Sequence, residues 1–271
     1  MVPFMPKGST AYTFTHPKIK KDEVAIARRY TDKFGLEHKI VELDVDQYFE
    51  VMGKLMQNKG MPLSPAEPTI HILAMAAAAD GHSDIVTGSG GDLKQGGYTK
   101  FRKIRRAKSF EKKLHKVYLN PQKILVNGTG VQHVLEKYSR LKFFTQLIDA
   151  ESFLNEVGLE GFAHDNAIRS AGIGKISPLA TVVCPYDPKK NNRLPKAFIQ
   201  EFYRNIYGTL PPKKLGLQKP NFALQSYRPT RPEFRQDFDY EALDFNRKFL
   251  VFSLERFMTE VGLTTPVLGP S

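Results

Sequence analysis

The residue types best suited to chemistry crowd between Ile85 and Tyr98, where the chain reads IVTGSGGDLKQGGY. Gly88, Gly90 and Gly91 surround Ser89, and Asp92 and Lys94 follow. Glycines this close let backbone amides approach an anion with no side chain in the way. A carboxylate beside them, Asp92, could hold Mg²⁺ that bridges phosphate oxygens. A plain tight turn at the end of a strand has the same pattern, and both readings stand. It is not a P-loop, because no Gly-Lys-Ser or Gly-Lys-Thr occurs in it. Ser89 lies in GSGG rather than Gly-x-Ser-x-Gly, and partner order lends a nucleophile no support. His164-Asp165 is a second acid–base candidate. The seven histidines are scattered and Cys184 is the single cysteine, so no zinc set is expected.

The elements that must position these residues follow from periodicity. Residues 11–15 (AYTFT) read as a strand, 21–34 as an amphipathic helix stopped by Gly35, and 38–43 as a second strand. Residues 46–56 read as a helix, 61–68 as a loop with three prolines, and 69–79 as a buried helix carrying His71. Residues 84–87 form a short strand that runs into the glycine turn. This alternation predicts an α/β fold: a parallel sheet flanked by helices. Beyond residue 100 the segments 101–118, 132–146, 149–158, 195–206 and 240–260 read as helical. The chain thus divides into an α/β core, 1–99, and a mainly helical continuation, 100–271, with proline-rich connections at 184–195 and 209–235. Met52, Met56, Met61 and Met75 are core candidates. Tyr203, Tyr207, Phe249, Phe252 and Phe257 read as packing aromatics.

The glycine turn resembles the synthetase domain of asparagine synthases, in the adenine-nucleotide α-hydrolase, or ATP pyrophosphatase, group. That family has Gly-Glu-Gly-x-Asp-Glu-x-Phe-x-Gly-Tyr after a strand, and Gly88, Gly90, Asp92, Gly97 and Tyr98 fall in register with it. Upstream, Glu23, Ala27, Gly35 and His38 occupy corresponding places. Downstream, Asp165, Gly172 and Pro178 match a second stretch, and LPPKKLGLQKPNF (210–222) a third. The resemblance covers roughly residues 10–260. It implies ATP and Mg²⁺ as cofactors and an AMP-forming amide ligase, if the site is active. It points to Asp92 and Asp165 for catalysis, and to Asp92 also for the metal, with Lys175 as a catalytic candidate that could substitute for a lost motif cation. Gly88, Ser89, Gly90 and Gly91 are the nucleotide-binding candidates, and Lys94 and Arg169 could substitute for missing cations there.

The departures point elsewhere. The family's ATP loop, Ser-Gly-Gly-x-Asp-Ser at the end of its first strand, does not occur in these residues. The sequence begins about where the family's second strand begins, which suggests an incomplete ATP-pyrophosphatase-like fold. Ser89 and Leu93 replace motif glutamates. Asn166, Gly174 and Ile176 replace a basic residue, a glutamate and an arginine. Losing several ion and phosphate contacts together conflicts with the standard reaction. The expectation is therefore a degenerate, non-catalytic member acting as a binding or assembly protein. The alternative is a ligase whose ATP loop comes from a companion chain or from upstream sequence.

Composition bounds the partners. The 271 residues carry 40 Lys and Arg against 28 Asp and Glu, a net charge of +12. Between Lys100 and Lys123 ten cations face one acid, Glu111, so this block holds most of the excess. Lys100–Lys116 reads as a basic amphipathic helix. It suits nucleic-acid backbone or another polyanion, an anionic membrane, an acidic protein, or plain solvent. No run of about 18 apolar residues occurs. The N-terminus has no signal-peptide pattern, and a single cysteine fits a reducing compartment, so a cytoplasmic location is expected.

Overall fold

The computed structural model describes residues 2–18, 23–90, 121–126, 161–181, 197–209 and 224–262. A 3-10 turn at Val2–Phe4 leads into β1, Thr10–Thr15. Helix α1, Val24–Phe34, crosses to β2, Glu37–Glu42, which pairs parallel with β1 from Thr10–Glu37 to Thr15–Glu42. Gly35 ends α1 in the left-handed region at φ 63°, where glycine pays no Cβ penalty. Helix α2, Val45–Lys59, starts under the Asp44 carboxylate, which accepts from the Asp46 amide. Helix α3, Glu67–Ala79, follows, then β3, Asp84–Val86.

The remaining described elements are mostly helical: α4, Pro121–Ile124; α5, Gly161–Arg169; α6, Pro178–Thr181; α7, Ala197–Tyr207; and α8, Phe245–Glu260. A fourth strand, β4, Gly174–Ile176, pairs parallel with β3. The fold is thus mixed α/β, with parallel strand pairs flanked by helices and a largely helical second half, as the alternation predicts. Among the described residues the strands form two pairs, β1–β2 and β3–β4. The segments at 101–118, 132–146, 149–158 and 184–195 lie outside the described residues, as does Lys100–Lys116, the stretch expected to form a basic helix.

The largest core joins α2, α3 and α8 through Tyr48, Met52, Leu55, Met56, Leu63, Ile72 and Phe249. Each fully buried side chain of this size contributes about 1.5–3 kcal/mol relative to exposure. Two of the four expected core methionines, Met52 and Met56, are in it. Met61 and Met75 are not: both are 39% exposed. Met61 follows the α2 stop at Gly60, and Met75 takes the outer side of α3. A second cluster packs Ala74 and Ala77 of α3 against Ile168 of α5 and Ile173, with Tyr12 of β1 and Ile85 of β3 on its margin. The alanines let α3 and α5 approach closely. Both strand pairs therefore rest on one helical layer.

Tyr203 and Tyr207 of α7 stack on each other at 4.2 Å and meet Tyr30 of α1 edge-on. Phe252 and Phe257 border the main core. These aromatics pack helices together, as expected.

Candidate functional site

The glycine turn leaves the carboxyl end of β3 and is anchored on three sides. The Thr87 amide donates to the Ile176 carbonyl at 2.8 Å, extending the β3–β4 ladder. The Thr87 and Ser177 hydroxyls are 3.0 Å apart. Gly90 lies at φ 85°, and a Cβ there would come within 2.6 Å of the Ala180 Cα on α6. Only glycine fits both the backbone angle and the space. The turn therefore sits tightly against α6 and holds Ser89 in a defined place.

Ser89 Oγ lies 2.7 Å from Nδ1 of His164, which is in the first turn of α5. The next residue, Asp165, pairs with Lys175 of β4 at 2.5 Å. Lys175 is mostly buried and Asp165 half-exposed, with side chains 12% and 47% accessible. Two of the candidate catalytic residues are thus bound to each other. Arg169 is exposed at the other end of α5, five residues from His164. Helix geometry puts it about 7.5 Å along the axis and roughly 140° around from His164. The structure brings the Gly88–Gly90 turn to His164, and Asp165 to Lys175, while Arg169 lies well round the helix from His164 and one turn beyond Asp165. Gly91, Asp92 and Lys94 lie outside the described residues.

Behind α5 is a buried polar network that periodicity does not reveal. Glu67 is fully buried. Its Oε1 accepts from Lys59 Nζ at 2.5 Å and from the Ser64 amide at 2.7 Å, and its Oε2 from Asn166 Nδ2 at 3.1 Å. Asn166 also donates to the Leu55 carbonyl at 3.1 Å. A buried carboxylate persists when such partners fill its lone pairs. The spacing Ser64-x-x-Glu67 is the local signal, since it is that of a capping box. His71 of α3 is buried, and its Nδ1 lies 2.8 Å from the Ala167 carbonyl. Burial pushes its pKa down, against the opposing pull of that carbonyl.

A family model described as Asparagine synthase matches residues 4–213. The chain belongs to the asparagine synthase family. No curated protein matches it. Membership in the family gives two of the departures a structural account. At Gly174 a Cβ would fall 2.0 Å from Oδ1 of the exposed Asp84 side chain, so a larger residue at this position, which resembles a family glutamate, requires Asp84 to turn aside. At Asn166, where the resemblance places a basic residue, the amide instead bridges Glu67 and Leu55, and Lys59 supplies the cation to Glu67.

ATP with Mg²⁺ needs carboxylates and cations converging on its phosphates. Asp165 and Lys175 neutralise each other, and Arg169 stands one helical turn beyond Asp165 on α5. Among the described residues no cluster of three or more His, Cys, Asp or Glu is placed to hold a metal. Nor is any described helix long and apolar enough to cross a membrane.

Proposed function

We propose that this asparagine synthase family member acts as a binding or assembly subunit, and that its binding site is a strand-wide slot between β1 and β3. The observation that carries the reading is the state of the strands. Parallel sheets are ordinarily covered on both faces and continuous. No residue of the four strands here is fully buried. The Glu37 amide bonds Ser9 and the Leu43 amide bonds Thr15, so the odd-numbered residues of β1 face β2. That directs the backbone groups of Tyr12 and Phe14 to the opposite edge. By the same ladder logic, bonds from Gly174 to Ser83 and from Thr87 to Ile176 direct Asp84 and Val86 away from β4. Tyr12 packs edge-on to His82 and donates to Asp80 at 2.6 Å, bringing β1 beside the entry to β3. A partner polypeptide adding one apolar strand would join the two pairs into a single parallel sheet.

On this reading the isolated chain does not use ATP–Mg²⁺ as an amide ligase would. A nucleotide bound at ~100 times its dissociation constant stabilises by about 2.7 kcal/mol, or roughly 5–10 °C in melting temperature. Saturating ATP–Mg²⁺ should leave the melting temperature of the chain alone unchanged. A rise of about 5 °C or more would overturn the non-ligase reading. The companion-chain ligase keeps one observation in its favour: the glycine turn lies beyond the carboxyl end of β3, where open α/β sheets bind their ligands. A rise that appears only with the partner strand bound would select it.

A further inference from the structure

We propose that Ser89 is a nucleophile activated by His164, and that it accepts acyl groups from activated esters. The inference is independent of the strand slot and adds a chemistry to it. Sequence order gives Ser89 no partner, but the fold supplies one from 75 residues away, with Oγ to Nδ1 at 2.7 Å. A serine hydroxyl is a weak nucleophile until a base within hydrogen-bond reach takes its proton, and this distance is in that range. The serine is also held. Gly90 is locked against Ala180, Thr87 is locked to Ile176, and the Ser89 amide points at Thr87 Oγ1 at 3.4 Å. The hydroxyl therefore does not rely on a wandering loop to find its base. His164 is fixed from the other side by α5, whose buried Ala163, Ala167 and Ile168 pin the helix. Ser89 and His164 are half-buried and Gly88 is exposed, so an acyl donor can approach from the turn.

The step balances without any oxidant or further reactant. Ser89 Oγ attacks the ester carbonyl while its proton passes to His164 Nδ1. The carbon–oxygen bond to the leaving group breaks, and the imidazolium returns the proton to give the alcohol. The product is an acyl-serine, which water cleaves by the same route with His164 again as base.

The test uses the full chain and an alkyl fluorophosphonate, which phosphonylates activated serines with loss of fluoride. Intact-mass and peptide analysis should find one adduct, on Ser89. Ser89→Ala should abolish it, and His164→Gln should slow labelling by about 100-fold, the usual scale of a lost general base. Ser170→Ala, at the far end of α5, should label as the parent does. Circular dichroism melting shows whether each variant is folded. No adduct on the folded parent overturns the proposal. So does labelling that survives Ser89→Ala, or that proceeds at the parent rate in His164→Gln.

Discussion

Gly90→Ala tests how the site is built. Two separable costs arise there. The residue sits at φ 85°, where an L side chain costs about 1–2 kcal/mol. The new Cβ would also meet Ala180 Cα, Cβ and N at 2.6, 2.7 and 2.8 Å. Those atoms belong to α6 rather than to the end of a flexible side chain, so the helix must move. Overpacking of this kind costs about 1–3 kcal/mol. The expected loss is therefore about 2–5 kcal/mol, or roughly 4–20 °C in melting temperature. Gly172→Ala is the matched control, with φ 81° and nothing within 4 Å of its Cβ. It should show the backbone cost alone, about 1–2 kcal/mol. Gly88→Ala has open space and no left-handed backbone, and should fall within about 0.5 kcal/mol of the parent. Urea unfolding of the three variants gives the comparison. If Gly90→Ala and Gly172→Ala cost the same, the turn is not wedged against α6 and the argument for a held Ser89 fails.

Two further predictions concern the interior. Lys59→Met strands the fully buried Glu67 carboxylate, since the Lys59 side chain is itself only 3% exposed, and should cost about 3–5 kcal/mol; adding Glu67→Gln should restore much of it, as read from urea midpoints. His71 carries a pKa below its usual 6.5 in the folded chain, so below pH 6.5 the unfolded chain binds more protons. Stability should fall as pH drops from ~6.5 toward the folded value, and His71→Gln should flatten that slope in urea midpoints taken across the window.

Much of the frame was legible in the sequence. Gly35 and the prolines between 62 and 68 punctuate α1 and the approach to α3, because only certain backbones follow or open a helix; α2 runs three residues past the expected 56, to Lys59. Other features were not. β4 is three residues long, opens on a glycine and shows no alternation, so nothing local marks it as a strand. Its pairing with β3 is set by contacts 90 residues distant. The exposure of Met75 was hidden because α3 is apolar nearly all round, leaving no polar face to orient it. Asp165 and Lys175 were legible as charged residues near a motif, but their mutual bond depends on α5 packing back onto β4. Glu67 falls in the stretch that reads as a loop, 61–68, and only the fold discloses Lys59 and Asn166 converging on it.

The strand slot is tested most directly by amide hydrogen exchange, residue by residue, on the isolated chain and on its assembly purified from its native cells. Ala11, Thr13 and Ile85 donate within their pairs and should exchange slowly in both. Tyr12, Phe14 and Val86 should exchange fast alone and slow by about 100-fold or more when the partner strand is in place. If those three are already protected in the isolated chain, or stay fast in the intact assembly, no strand adds between β1 and β3 and the account is contradicted.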